Sequence, residues 1–270
     1  MKRAALVATG LLVAGASAAP ARAASVGREH VQHARQGAVR AEYRYRFEKH
    51  QARGRLRIWS HGRRIVDMRA DQYASGVGRV VSVRQLDGTG PPEVLLNVYS
   101  GGAHCCWDTL IFTGRHRVRQ HWGHGLPKLR DADGNGKPEF HGLDTRFAYA
   151  FASFAQSRFP AQVTSYSGNA LHDVTASYPT EVKADMARQY AEYRAAVGAR
   201  DRGLVRGALA AYAADGFSLG QGDAAMAVVQ AAADAGEAGT ATSRDDPFWE
   251  PGYVAKLRTL LRELGYDKTG

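Results

Sequence analysis

The segment Asp131-Ala132-Asp133-Gly134-Asn135-Gly136-Lys137-Pro138-Glu139 sets oxygen-bearing side chains at positions 1, 3, 5 and 9 of a loop bent by two glycines. Ca²⁺ takes six to eight oxygen ligands at about 2.3–2.6 Å, and alternating side chains on a tight loop can turn inward together to supply them. Asp131, Asp133, Asn135 and Glu139 would offer side-chain oxygens, and Lys137 its carbonyl. Gly134 and Gly136 permit the positive φ values such a bend needs. The ring closes at position 9 rather than 12, and an apolar strand follows, which sets the loop apart from an EF-hand. A related stretch lies upstream, Gln85-Leu86-Asp87-Gly88-Thr89-Gly90-Pro91-Pro92-Glu93. There Gln85 replaces the leading acid and Thr89 the Asn. Asp87, Thr89 and Glu93 remain as a weaker metal-like set, expected to bind poorly or not at all. The plain alternative for either loop is a glycine turn without an ion.

Cys105 and Cys106 are the only cysteines. Adjacent Cα atoms lie about 3.8 Å apart across a trans peptide, below the usual disulfide span of about 4.4–6.8 Å. A vicinal disulfide is the expected state in an oxidising compartment. Zn²⁺ or Cu⁺ binding with His104 as a candidate ligand, and a redox-active dithiol, are the alternatives. Both need a loop, because adjacent side chains of a strand point to opposite faces, and Gly101-Gly102 can provide one. Gly216-Phe217-Ser218-Leu219-Gly220 has the form of a nucleophile elbow. That motif needs a strand before the serine and a histidine after it. Here it falls between helical stretches, and His172 is the last histidine, so it reads as a helix-connecting turn. His116, His121, His124 and His141 lack metal-ligand spacing and read as polar strand and turn residues.

The elements that must hold these residues are strands first and helices later. Val39, Ala41, Tyr43, Tyr45 and Phe47 alternate with Arg40, Glu42, Arg44, Arg46 and Glu48, the period of a half-buried strand. Leu56–Trp59 and Ile65–Met68 flank His61-Gly62, a hairpin signal. Similar hairpins are expected at Gly114 and Gly168. With the two acidic loops they give a period near 50 residues and about three units. Three units are too few for the usual propeller, so an open, partial propeller-like array is expected. Phe147, Tyr149 and Phe151 alternate with alanines and suggest a further strand, packed in the core or offering an aromatic platform.

After Pro179 the apolar spacing becomes helical. Val182, Met186, Tyr190, Tyr193 and Val197 form one stripe. Leu204, Ala208, Leu209 and Tyr212 form a second, ending at Asp215-Gly216. Asp223 is placed to cap a third helix, and Pro251 to start a fourth that carries Leu257, Leu260, Leu261 and Leu264. The fold class is therefore α+β: an antiparallel β-repeat domain over 24–178 and a small helical domain over 179–270.

The acidic loop followed by an apolar strand resembles the FG-GAP and VCBS repeats of secreted bacterial proteins. Tyr99-Ser100-Gly101-Gly102-Ala103-His104-Cys105-Cys106 and Arg146-Phe147-Ala148-Tyr149-Ala150-Phe151-Ala152 are similar to stretches of exported repeat proteins from GC-rich bacteria. The resemblance covers residues 79–178. It implies blade-like β units and a Ca²⁺ held by Asp131, Asp133, Asn135 and Glu139. Members of that family include adhesins, carbohydrate binders and enzymes, so it implies no single activity.

Export is expected from the N-terminus. Lys2 and Arg3 precede the apolar run 4–19, and Ala21-Arg22-Ala23 offers a cleavage site, making 1–23 a signal peptide. An uncleaved anchor is the alternative, but the run is short of the roughly 20 apolar residues of a spanning helix, and no later stretch qualifies. Loss of Lys2, Arg3 and Arg22 takes the formal net charge from +10 to +7. Twelve basic against four acidic residues lie between Arg28 and Arg69. This excess could hold an anionic polymer, or be only a solvated strand face. The reading is a secreted, extracellular, calcium-braced and non-catalytic binding or envelope-associated protein. Its expected partner is an anionic or glycan polymer of the cell surface, with no specific nucleic acid. A hydrolase or metal-dependent lyase, and a redox protein using the cysteine pair, are the rival readings.

Overall fold

The computed structural model describes residues 27–73, 78, 80–102, 105–239, 248 and 252–268. The signal peptide, His104 and Pro251 lie outside the described residues. The chain is α+β, with three antiparallel sheets followed by four α-helices among the described residues.

The first sheet runs in the order β1 (Glu29–Gln36), β2 (Val39–Glu48), β3 (Gln51–Ser60), β4 (Arg63–Arg69). A short β5 (Gln72–Tyr73) pairs with the start of β3. The second sheet is β6 (Val81–Arg84), β7 (Glu93–Tyr99), β8 (Trp107–Thr113), β9 (His116–Gly123). The third is β10 (Lys128–Arg130), β11 (Glu139–Leu143), β12 (Ala161–Ser167), β13 (Ala170–Asp173). Each is an open meander, and each ends in the hairpin read from sequence. His61 and Gly62 both have positive φ, as do Gly168 and Asn169, the backbone that a two-residue hairpin prefers because it matches strand twist. The acidic loops occupy one equivalent place, joining the first strand to the second in the second and third sheets.

The alternation of β2 holds: Val39, Ala41, Tyr43, Tyr45 and Phe47 are buried. They pack on Val81, Val83, Val94, Leu96 and Phe112 of the second sheet. Leu95 and Ile111 face the other way and meet Trp122, Phe140 and Tyr166. With both faces covered, β7 has no solvent side, and Val94-Leu95-Leu96 reads as a continuous apolar run instead of an alternating one.

The helices are α1 (Pro179–Ala199), α2 (Arg202–Ser218), α3 (Gly222–Asp234) and α4 (Tyr253–Glu263). Several sequence expectations are corrected here. Residues 147–151 do not form a strand. A 3-10 turn at Thr145–Phe147 leads into irregular chain, and Phe147 and Phe151 drop into the helical core. Four-residue spacing on a turn puts both rings on one side, while Tyr149, at φ 60, is turned outward and exposed. Helix α2 does not stop at Asp215-Gly216 but continues to Ser218. Gly216 is tolerated because it lets α3 approach: a Cβ there would lie 2.4 Å from that of Ala225. Asp223 sits in the first turn of α3 and makes no cap; the cap position is Gln221. Tyr190 is exposed rather than part of the buried stripe of α1, which includes Val182, Gln189, Tyr193 and Ala196.

Candidate metal centre

Asp131, Asp133 and Glu139 each present a carboxylate oxygen, and the three lie within 4.8 Å of one another. The backbone makes this possible. Asp131 accepts the amide N–H groups of Asn135 (3.0 Å) and Gly136 (2.8 Å). Asp133 accepts from the Asn135 amide (3.1 Å) and its side-chain Nδ2 (2.9 Å), and Asn135 Oδ1 accepts from Lys137 N (2.8 Å). Gly134 and Gly136 have φ of 74° and 83°. The loop's own donors therefore hold its carboxylates, and each oxygen retains lone pairs for a further ligand.

Glu139 differs from the two exposed aspartates. It opens β11 and is 3 % exposed, and its Oε2 has no hydrogen-bond partner. A buried, unpaired carboxylate oxygen is costly, and a cation beside it would remove the cost. His141, two residues on along β11, is also buried. Its Nε2 is unpartnered and lies 3.8 Å from Glu139 Oε2, while its Nδ1 lies 2.8 Å from Glu181 Oε2 in the first turn of α1. Arg130 pairs with the same Glu181. Tyr178 precedes α1, and its hydroxyl stays protonated far above the usual tyrosine range, through burial and then the carboxylates of Glu139 and Asp133. The start of the helical segment thus closes over the loop. Sequence reading misses Tyr178 and Glu181, and takes His141 only as a polar strand or turn residue. The available signal was His141 following Glu139 at the two-residue spacing of one strand face.

The upstream loop has the same backbone, with Gly88 and Gly90 at φ 74° and 63° and Thr89 N donating to Asp87 (2.8 Å). Its contents differ. Gln85 turns its Nε2 to the Gly90 carbonyl (3.3 Å), where Asp131 accepts an amide in the other loop. Glu93, the counterpart of Glu139, is buried but partnered: Leu86 N donates to its Oε2 (2.9 Å), and Thr113 reaches its Oε1 (3.5 Å). Burial raises its pKa, partly offset by the Leu86 amide. With Thr89 offering only a hydroxyl, Asp87 and Glu93 are the two carboxylates of this loop. The loops are neighbours, for the Lys137 side chain lies against Gly88.

Cys105 and Cys106 are bonded to each other, with Cα atoms 3.7 Å apart and Cys106 at φ 90°. Gly102 lies against both sulfurs, and a Cβ there would approach Cys105 Sγ to 2.9 Å. Tyr99 donates to the Gly102 carbonyl, and its ring lies tilted against Trp107, centroids 4.9 Å apart. The histidines scatter: His121 pairs with Asp108 (3.0 Å), His124 packs on Phe154, and His116 starts β9. Ser218 lies in the last turn of α2, so the elbow-like motif is a helix end.

Comparison with known proteins places a match on the helices. Residues 182–265 match the family described as the sll0997 C-terminal domain. The chain is 32 % identical over 104 residues to the "Probable thylakoid lumen protein sll0997" of Synechocystis, covering 36 % of this chain and 31 % of that protein. It is 30 % identical over 92 residues to the "Uncharacterized protein y4bJ" of Sinorhizobium fredii, covering 31 % of this chain and 14 % of that protein. The chain thus spans less than a third of the length of either relative.

Proposed function

We propose that this is an exported, non-catalytic binding module of the cell envelope, braced by Ca²⁺ at the 131–139 loop. The observation that carries this is the buried, unpartnered Oε2 of Glu139 beside the carboxylates of Asp131 and Asp133. A hard cation suits an all-oxygen set, and Asn135 and the Lys137 carbonyl would complete it. Such an ion would tie β10 to β11 and seat the start of α1, through Tyr178, on the third sheet. The role is structural: the ion holds elements together. Export is supported by the N-terminal signal pattern and by the similarity to a probable thylakoid lumen protein. No helix among the described residues is long and apolar enough to cross a membrane. The partner would be an anionic or glycan polymer of the surface.

Titrating Ca²⁺ into residues 24–270 by calorimetry is expected to show one site. Because the ion binds only the folded loop, EDTA should lower the melting temperature. Extracellular sites bind at about 10⁻⁴–10⁻³ M, so millimolar Ca²⁺ is needed to see the gain. Asp131→Ala should abolish the difference. Absence of both heat and thermal shift in the unmodified protein would overturn the calcium reading.

A further inference from the structure

The outer face of the first sheet carries a field of arginines. Strand alternation turns Arg44 and Arg46 of β2, Arg53, Arg55 and Arg57 of β3, and Arg69 of β4 away from the core. Register aligns Arg44, Arg55 and Arg69 in one row across three strands, and Arg46 with Arg53 in the next. These six arginines line a shallow depression of about 340 Å³, with Glu29 and Asp71 at its edges. Like charges directly opposite one another weaken a sheet, so this placement costs stability that packing alone does not demand. Glu42 and Asp67 sit within the field. Glu42 accepts from Arg44 (2.6 Å) and Arg57 (3.4 Å), Asp67 pairs with Arg55, Arg57 and Arg64, Asp71 with Arg53 and Arg69, Glu48 with Arg53, and Glu29 with Arg44, so five of the six arginines have an acidic partner that a polyanion must displace. With the arginines themselves half-exposed, such pairs are each worth little. Arg46 is exposed and makes no ion pair among the described residues.

We infer that this face binds an extended polyol phosphate chain. Spacing is the first argument. Successive outward arginines on β3 are two residues apart, about 6.8 Å along a strand. A peptide reaches about 3.3–3.6 Å per three backbone bonds, so a phosphodiester chain with six bonds between phosphorus atoms draws out to about 7 Å per charge. Arg53, Arg55 and Arg57 can therefore meet successive phosphates in register. Neighbouring strands lie about 4.8 Å away and bring Arg44, Arg46 and Arg69 to the flanks of the same chain. Arginine forks suit phosphate oxygens. The second argument is what the face lacks. Single-stranded nucleic acid is held by aromatic platforms under its bases. Two aromatics stand at outward positions of β2, β3 and β5: the Arg40 guanidinium covers Trp59 at 4.0 Å from the ring centre, and Tyr73, opposite Gln51 at the sheet's end, meets Tyr99 edge to face. A baseless chain fits that surface. The inference rests on the binding-module reading but not on the ion, because the field lies on the first sheet and the acidic loops on the second and third.

The test is anisotropy of a labelled glycerol phosphate oligomer, about ten repeats long, with residues 24–270 at about 50 mM salt, in Ca²⁺ and in EDTA. Binding is expected in both, weakening steeply as salt rises. The triple variant Arg46→Gln, Arg55→Gln, Arg69→Gln should bind at least about tenfold more weakly, with the slope of log K against log salt reduced by about 2. Arg46→Gln alone, which breaks no ion pair, should weaken binding about threefold or more. Lys183→Gln, Arg258→Gln, Arg262→Gln removes the same charge from the helices and should change affinity less than threefold. Equal losses in the two triple variants would overturn the assignment to this face. No binding at low salt, or tighter binding of a polyuronate or of an oligothymidylate, would overturn the polyol phosphate. Retention on whole cell wall with no oligomer binding would leave the module reading standing while removing this one. No Ca²⁺ uptake with intact oligomer binding would support this one while removing the calcium brace.

Discussion

Gly54 has no side chain because Tyr43 needs its space. The Tyr43 hydroxyl donates to the Ala70 carbonyl (2.7 Å) and is buried, and burial pushes its pKa up to about 12. A Cβ on Gly54 would come within 2.1 Å of that hydroxyl and 2.3 Å of that carbonyl. Gly54→Ala is therefore expected to destabilise by about 1–3 kcal/mol, the cost of overpacking, measurable by urea unfolding. At the same scale, Glu139→Gln replaces the unpartnered oxygen with a neutral amide. Without Ca²⁺ the variant should melt at or above the temperature of the parent, since it removes a buried carboxylate oxygen that has no hydrogen-bond partner. In millimolar Ca²⁺ it should gain nothing. A parent-like calcium shift in this variant would exclude Glu139 as a ligand. The acidic residues of the loop were legible in sequence because carboxylates alternating around glycines are a local pattern. The burial of Glu139 was not legible, since it comes from Tyr178 and α1, tens of residues away.

At the scale of elements, two buried side chains of α2 tie it to the chain around it. Asp215 of α2 is fully buried, and its Oδ1 accepts the Ala161 amide that opens β12 (3.1 Å). Its Oδ2 meets no donor, and Asp185 of α1 lies beside it. Burial, then the charge and hydrogen bond of Asp185, push its pKa up to about 9, with Arg188 opposing. Asp215 thus carries a proton at neutral pH in the fold, whereas the unfolded chain loses it near the ordinary value. A raised carboxyl contributes its stability in full at acid pH and loses it as pH climbs through the folded value. Between about pH 4 and 9 this group should therefore make stability fall as pH rises. Asp215→Asn keeps an oxygen for Ala161 and a donor for Asp185. It should flatten that slope and be the more stable protein at pH 8, as thermal melts across pH would reveal. The second is Arg206, also of α2 and 2 % exposed, which donates to the carbonyls of Phe151 (2.8 Å) and Ala238 (3.0 Å). Arg206→Ala orphans both and should cost on the order of 3 kcal/mol by denaturant unfolding. Helices and hairpins could be read ahead because their periodicities are local. The 147–151 segment could not, because alternation of aromatics with alanines is equally available to a strand and to a turn that dips one side into a core.

For the molecule as a whole, the strands and helices are not independent. Phe147 and Phe151 leave the third sheet to fill the helical core beside Tyr253 and Leu261. A chain ending at Ser177 would bare both rings, and is expected to aggregate or bind a hydrophobic dye strongly. A monomeric, cooperatively melting fragment would refute this interdependence.

Fold class, the three hairpins, the four helices and the acid-rich loops were set by the amino-acid order itself, because each depends on contacts between near neighbours. The tertiary structure decided the rest. It put Glu139 and His141 under the start of α1, gave Glu93 donors that Glu139 lacks, and ranked arginines across β2, β3 and β4 into one field. Those outcomes turn on which strand lies beside which and on where water is excluded, and no stretch of chain carries that information alone.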